Sequence, residues 1–468
     1  MIPTTSHPAK TRRLRQLVWA MVLLLTFEGL ARKALPQVGI LIFLLKDFLT
    51  VWMAFYVLRM PINPIIRSLW YGYLVLIFLM SPLVVLTAVH DPLLGIFGAK
   101  LYLLYPMVAF AIFMAFEHSK MEVIFTFYRR VAILLIPTVL LAVLQLRLPN
   151  TSWINMSVNG ESLSSFGYEG ILRVSSTFSF VAQFCAFLNA EMFIVFIALH
   201  GWSNQTLRWK ILTVALFPAI LVGSFITGSR GAVTINLTTM LLAMLLGLLK
   251  FRARNVFQIG IFMGVLYLAV VAINHFFPFI TMIYFNREGG HLLGFSEEIR
   301  QRAYGAFFSL PHEAVYRTFW GIGLGIETNG AEKVSSYAAQ WRTRFWTETD
   351  FGTTLVEGGV YLAFVWYGFR LFVILKTLSN FLMDITPEYS VLASFCQGFV
   401  VVMGLFGTLS LQPPIAIWWW LGVGTLLLFS WKCIAPSDSE EPMEAPKPPM
   451  RRKIRGRSLY ADVIHSRK

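Results

Sequence analysis

The sequence predicts an all-α integral membrane protein of about twelve transmembrane helices, and three observations predict it. Of its 468 residues, 57% are hydrophobic and only 13% are charged, with a mean hydropathy of +0.66. That leaves too little polar surface to cover a soluble fold. The apolar runs are continuous for about twenty residues, the length that crosses a hydrocarbon core, whereas barrel strands would alternate over about ten. Basic residues are dense in one set of short loops and sparse in the alternate set, the asymmetry of a chain threaded through a bilayer.

Taken in order, spans are expected near residues 15–31, 37–58, 69–89, 99–116, 130–147, 177–199, 210–227, 231–249, 256–274, 351–374, 389–410 and 414–433. One side collects Arg12, Arg13 and Arg15, then Arg59 and Arg67, Lys120, Arg129 and Arg130, Arg208 and Lys210, Lys250, Arg252 and Arg254, and Arg370 and Lys376. The opposite side holds chiefly Arg32, Lys33, Lys100, Arg147 and Arg173. The basic side is expected to be cytoplasmic, which puts both termini there and agrees with an even number of spans. Residues 1–14 then form a cytoplasmic N-terminus, 15–433 the membrane domain and 434–468 a tail. The Arg cluster before the first span is followed by no small-residue cleavage site, so an uncleaved signal anchor is expected.

The formal net charge of +15 sits mostly in those short loops and in the tail, so it does not point to nucleic acid. The tail combines EEPMEAPKPP with RRKIRGR; it is expected to be disordered, with its basic cluster on anionic membrane lipid. Cys185, Cys396 and Cys433 lie in or beside apolar runs without CxxC spacing or a His or Asp cluster. Neither a disulfide nor a metal site is expected, and no cofactor.

Two external segments are too long for turns, 148–176 and 275–350, and function is expected there. In the longer one, between the ninth and tenth spans, Phe295, Ile299, Ala303 and Phe307 recur at helical spacing, with Ser296 as cap and Pro311 as stop. A second short helix from His312 to Trp320 would end at the turn Gly321-Ile322-Gly323-Leu324-Gly325, giving a structured lid over the membrane. This turn lacks the preceding strand and full spacing of a dinucleotide fingerprint.

Thr227-Gly228-Ser229-Arg230-Gly231-Ala232 lies between two spans on the external side. An arginine at the bilayer boundary either snorkels to water as an anchor or meets an anion, whose phosphate oxygens suit its planar fork. Glu28 and Arg32 can pair along one helix at i,i+4, while Lys46 and its neighbour Asp47 need partners from other helices. A structural role is favoured for these four, although Lys46 could also reach a donor phosphate. Glu191, inside the sixth span, reads as a packed polar contact.

The TGSRGA turn, the later GIGLG turn, and Glu357-Gly358-Gly359 opening the next helix resemble the O-antigen ligase and polymerase (Wzy-type) family of membrane proteins. Phe27-Glu28-Gly29-Leu30-Ala31-Arg32-Lys33, with Pro36 and Lys46-Asp47, resembles one bacterial branch of it. The resemblance is strongest over about residues 170–370. It implies a GT-C-like architecture in the bacterial cytoplasmic membrane. The activity implied is glycosyl transfer from an undecaprenyl-pyrophosphate-linked oligosaccharide to a saccharide or lipid A core acceptor, for O-antigen, capsule or exopolysaccharide. Polysaccharide-export and chain-length proteins would be partners.

By that logic Arg230 serves the pyrophosphate, with Arg302 as the preferred second catalytic cation. Arg300, Arg317 and Arg173 would support substrate binding, Arg173 within Arg173-Val174-Ser175-Ser176-Thr177-Phe178 matching an Arg the family carries there. Each loop arginine also reads as a helix-surface pair, as Arg302 would make with Glu298. Where ligases of the family show a His, this chain has Trp346-Thr347-Glu348-Thr349-Asp350-Phe351. Glu348 or Asp350 could supply the base, or could cap the next helix; His312 is a further substrate-site candidate. The departure tilts the expectation toward a polymerase or related transferase. The alternative is a transporter of a lipid-linked saccharide or of a small anion such as bicarbonate, whose sign would be broken helices meeting near the midplane.

Overall fold

The protein is described from a computed structural model that covers residues 8–166, 172–200, 205–250, seven positions between 260 and 278, and 319–328, 330–342 and 349–435. Among these residues the regular structure is helical, and the protein is a multi-pass membrane protein. In chain order the helices are α1 (Pro8–Ala34), α2 (Gly39–Val57), α3 (Pro64–His90), α4 (Pro92–Leu103), α5 (Met107–Phe116), α6 (Met121–Ala132), α7 (Leu135–Arg147), α8 (Val181–Leu199), α9 (Leu207–Ile226) and α10 (Arg230–Leu249). Two short ones follow, α11 (Ala331–Val334) and α12 (Ser336–Arg342), then α13 (Asp350–Met383), α14 (Ser390–Phe406) and α15 (Pro413–Ile434).

Nine helices among the described residues are long and apolar enough to cross a bilayer, counting α6 and α7 as one, and α4 with α5 makes a tenth if their 44° bend lies within one span. The apolar α14 is shorter, at 17 residues. Helices occupy eleven of the twelve expected positions, but the tenth, expected as one span over 351–374, is broken at Gly358 and Gly359; the ninth, 256–274, lies largely outside the described residues, as do the proposed lid helices at 295–307 and 312–320.

Local chemistry sets the boundaries. Asn63 caps α3 by accepting the Ile65 N–H at 3.0 Å, and Asp91 caps α4 by accepting those of Leu93 and Leu94 at 3.0 and 3.1 Å, each cap followed by Pro at the first helical position. Pro106 stands at the α4–α5 bend. Pro137 lacks the N–H that would bond Ile133, and the α6–α7 helix breaks at Ile133–Leu134. Pro82 and Pro218 lie inside the continuous helices α3 and α9.

The apolar stripes sort the helices by depth. The helix α15 is buried on all sides around Trp418, Trp419 and Trp420 and packs on α5, α8 and α14. Its all-round hydrophobicity is that of a core helix. In contrast α2 and α3 expose large apolar side chains such as Ile40, Phe48, Phe78 and Val89, as helices at a lipid boundary must.

The sixth expected span begins four residues later than its sequence position of 177. Residues 172–180 are irregular and largely buried, and they lead into α8 at Val181. Irregular backbone inside a bundle must find its hydrogen bonds in the protein. Here Leu30 of α1 donates its N–H to the Thr177 carbonyl at 2.7 Å, and the Ser176 N–H donates to Gln145 Oε1 at 2.7 Å. Ser176 has φ 53°, a conformation that costs a non-glycine residue about 1–3 kcal/mol and persists only where the surroundings hold it.

Candidate functional site

The helices bring three groups of charged side chains together at the end of the bundle where α1, α3 and α7 finish and α4, α8 and α10 begin. The first is cationic. In the last turn of α1, Lys33 donates to Ser175 Oγ at 2.9 Å and to the Ile154 carbonyl at 3.1 Å, while Arg32 Nη1 donates to Ser179 Oγ at 3.2 Å. Both thus grip the irregular 172–180 segment. Arg173 stands two residues before Ser175, within about 7 Å along the chain. Its stem lies against the next turn, since a methyl group on Gly228 would meet Arg173 Cγ at 3.9 Å. Gly228 has φ 62°, which lets the chain leave α9 and enter α10 with Ser229 at the N-cap and Arg230 as first helical residue. Arg173 and the Arg230 turn, 57 positions apart in the chain, are therefore neighbours in space.

The second group joins α1, α2 and α4. The Lys46 ammonium, fully buried, donates to both Glu28 carboxylate oxygens at 3.1 Å and to the Phe43 carbonyl at 2.6 Å, which engages all three of its N–H bonds. Glu28 also pairs with Arg32 at 3.5 Å. Asp47 turns the other way, accepting from Lys100 Nζ at 2.7 Å and Tyr105 Oη at 2.6 Å. The expectation that Lys46 and Asp47 take partners from other helices is met by α1, α4 and the α4–α5 bend. With its donors occupied, Lys46 stands as an ion-pair partner inside the protein, away from any open surface.

The third group is built on a break in α13. Gly358 and Gly359 have non-helical backbone angles, with Gly359 at φ 63°. A straight helix would hold Asp350 and Arg370 about 30 Å apart, yet they form a buried ion pair, and Phe351 meets Tyr367 edge-on with ring centroids 5.2 Å apart. The chain therefore reverses at the two glycines, and residues 350–357 fold back along 360–370 as a helical hairpin. The GIGLG loop docks at the reversal: Ile322 N–H donates to the Val356 carbonyl and Gly323 N–H to that of Glu357, both at 2.9 Å, and Tyr361 N–H donates to the Phe319 carbonyl at 3.3 Å. These bonds satisfy backbone groups that the break would leave bare in a low-dielectric interior. Gly321, at φ 68°, has no side chain to overlap the backbone of Gly358 and Gly359.

Glu357, wholly buried, holds this loop from below. Its carboxylate accepts from Tyr102 Oη at 2.7 Å and from the Glu327 N–H at 3.2 Å. The carboxyl of Glu327, also buried, is close enough to act electrostatically on it. On the neighbouring pair, the Ser410 N–H and Oγ donate to Asp350 Oδ1 at 2.8 and 2.6 Å. Tyr102 thus ties Glu357 to α4, and Ser410 shares Asp350 with Arg370. Above it, α11 and α12 form a small apolar cap from Ile326, Ala331 and Ala338 on Leu94 of α4. There Asp91, at the exposed end of α3, is held below its ordinary carboxylate range by the Ser335 hydroxyl and by the Leu94 and Leu93 N–H groups.

Of the residues singled out in the sequence, Arg173 and the backbone of Arg230 are brought together, Lys46 is engaged by Glu28, and Asp350 is engaged by Arg370 and Ser410. Thr349, not Asp350, caps the helix, its hydroxyl accepting the Gly352 N–H at 3.0 Å. The side chain of Arg230, and the residues Arg300, Arg302, His312, Arg317 and Glu348, lie outside what the structure describes. Glu191 has neither carboxyl oxygen hydrogen-bonded among the described residues, in place of the packed polar contact expected of it. Among the described residues no group of three or more His, Cys, Asp or Glu could hold a metal ion. Comparison with protein-family models, curated proteins and solved structures gives no match to this chain.

Sequence reasoning foresaw the pairing of Arg32 with Glu28, which the structure shows, but missed the bond of Arg32 to Ser179 and the roles of Lys33, Lys100, Tyr102, Glu327 and Arg370. A signal for three of them was present: Arg32, Lys33 and Lys100, with Arg173, are four of the five basic residues on the otherwise cation-poor side. Exceptions to a charge bias are where a specific electrostatic role is to be sought.

Proposed function

We propose that the protein is a membrane glycosyltransferase that polymerises or ligates undecaprenyl-pyrophosphate-linked oligosaccharides on the outer face of the bacterial cytoplasmic membrane. In this reading it spans the bilayer about twelve times in a GT-C-like arrangement, with both termini in the cytoplasm and the Gly228 and GIGLG loops outside. The observation that carries it is the packing of Arg173 on the turn that opens α10 at Arg230, next to the α1 cations and at the same end as the docked GIGLG loop.

That arrangement suits the reaction. An acceptor hydroxyl attacks the anomeric carbon, the bond from that carbon to the pyrophosphate oxygen breaks with its electron pair, and the lipid pyrophosphate leaves. Fixed cations that meet the departing oxygens stabilise the charge as it develops, in a medium where that is worth most. Arg230 and Arg173 take this role, with Arg302, Arg300 and Arg317 as further cations for the substrate and His312 as a substrate-binding residue. The acceptor proton passes to a carboxylate. Asp350 is occupied by Arg370 and Ser410, so the base falls to Glu348.

Deletion of the gene, with electrophoresis of the cell's glycans and lipid-linked intermediates, tests this reading. Short lipid-linked units should accumulate and be cleared by wild type but not by Arg230→Ala made at normal level; unchanged glycans would remove the reading. A transporter of a lipid-linked saccharide or small anion is the second reading, favoured by the reversal at Gly358–Gly359 set among buried charges, since broken helices of this kind form transport sites. Uptake or flipping by the purified protein in vesicles, without saccharide transfer, would promote it.

A further inference from the structure

Phe43 of α2 is the common neighbour of three cations. Its ring centroid lies 3.6 Å from Lys46 Nζ, 5.0 Å from Arg32 Cζ and 5.3 Å from Lys100 Nζ. Lys46 is closed off by Glu28, but the other two keep capacity. Arg32 is 19% exposed and bonds through Nη1, while its Nε has no hydrogen-bond partner among the described residues. Lys100 is 12% exposed and donates one bond, to Asp47, beside the rings of Phe43 and Phe97.

The charges of this neighbourhood do not balance. Four cations, Arg32, Lys33, Lys46 and Lys100, face two carboxylates, Glu28 and Asp47, which leaves two positive charges over among the described residues. Uncompensated charge held in a membrane domain is costly unless an anion joins it. The outer faces of the two helices that carry Phe43 and Lys100 are apolar and exposed: Leu41, Leu45 and Phe48 on α2, Leu93 and Ile96 on α4. An anion reaching Arg32 and Lys100 between those faces would bring an apolar chain with it.

We propose that the head of the α2–α4 face is a receiving site for the dianionic phosphate of an isoprenoid lipid, held by Arg32 and Lys100 on the side of each cation turned away from the Phe43 ring, with its chain lying along α2 and α4. The charge count and the apolar flanks carry the lipid phosphate; the isoprenoid chain rests on the transferase reading given above.

The test uses the full chain in nanodiscs of zwitterionic phospholipid doped with undecaprenyl phosphate or with phosphatidylglycerol, and measures lipid bound per protein. Wild type should retain undecaprenyl phosphate about tenfold better than the singly charged phosphatidylglycerol, a difference of about 1.4 kcal/mol. Arg32→Gln should lose about tenfold in that retention. So should Lys100→Gln combined with Asp47→Asn, which leaves no unpaired buried carboxylate and keeps the test valid if Lys100→Gln alone fails to fold. Equal retention of the two lipids, folded variants that bind as wild type does, or release by millimolar inorganic phosphate would each overturn the proposal. Saccharide transfer, measured on parallel nanodiscs of the same protein supplied with an undecaprenyl-pyrophosphate-linked oligosaccharide and a saccharide acceptor, separates the two claims. Specific retention without transfer by wild type upholds the site and removes the transferase reading; transfer with no specific retention does the reverse.

Discussion

Replacing Asp350 with Ala should cost the protein about 4 kcal/mol of stability, because the residue is an anchor of the helical hairpin. Its partner Arg370 is only 1% exposed on its side chain and also donates to the Gly404 carbonyl at 2.6 Å and the Gly407 carbonyl at 3.1 Å. Removing the carboxylate leaves a guanidinium buried with backbone carbonyls alone, a loss of about 3–5 kcal/mol, and frees the Ser410 N–H and hydroxyl that it accepted. Replacing both members, as Asp350→Leu with Arg370→Met, removes the unpaired charge and should return the protein to within about 1–2 kcal/mol of wild type. Detergent-driven unfolding of the purified protein, followed by the fluorescence of its 14 tryptophans, measures the three variants against wild type. A strong positive coupling between the two sites is expected. An Asp350→Ala protein within about 0.5 kcal/mol of wild type yet devoid of activity would refute the anchor role and restore Asp350 as a base.

Three further outcomes are expected. Gly321→Val forces a Cβ into the backbone of Gly358 and Gly359 at a positive φ, so it should detach the 319–328 loop and make it a new site of limited proteolysis, at a cost of about 2–3 kcal/mol. Lys46→Leu leaves Glu28 buried with Arg32 alone at 3.5 Å and should destabilise by about 3 kcal/mol, most of it recovered by adding Glu28→Gln; denaturant titration of the pair tests this. Asp91 has its folded-state pKa lowered by Ser335 and the Leu94 and Leu93 N–H groups, so its contribution is present above the ordinary value of 3.8 and is lost as pH falls through its lower folded value. Hydrogen exchange in residues 331–342 should therefore rise at strongly acid pH in wild type, and Asp91→Asn should remove most of that acid dependence.

The membrane fold was legible because lipid leaves a long apolar run almost no alternative to a helix. The placement of eleven of the twelve expected helices follows from that constraint, and the breaks at Pro106 and Pro137 follow from the missing N–H. The same rule hid the exceptions. Residues 177–180 fall within the sixth expected span, yet 172–180 are irregular, with Leu30 and Gln145 satisfying backbone groups from outside the segment. The reversal at Gly358–Gly359 was invisible for a related reason. Two adjacent glycines permit a break, but only the docked carbonyl and N–H groups of Phe319, Ile322 and Gly323 make it stable.

For the candidate site, the TGSRG turn stood out because an arginine flanked by glycine at a bilayer boundary asks for an anion. Its neighbour Arg173 is 57 positions earlier in the chain, and nothing local in the sequence brings them together. Asp350 was ambiguous between base and cap because both need a carboxylate near a helix start; its partner Arg370 sits on what the basic-residue pattern assigns to a cytoplasmic loop. The helical reversal resolves this, because it carries Asp350 down to Arg370 inside the bundle.

The most direct test of the transferase is reconstitution of the purified protein in proteoliposomes with an undecaprenyl-pyrophosphate-linked oligosaccharide and a saccharide acceptor. Electrophoresis and mass spectrometry would follow the saccharide, and release of undecaprenyl pyrophosphate would follow the lipid. Wild type should form the longer or ligated glycan with one lipid pyrophosphate released per bond made, and Arg230→Ala, folded as wild type, should form none. Donor moved across the bilayer or retained intact, with no glycosidic bond made, would contradict the account and leave transport as the function.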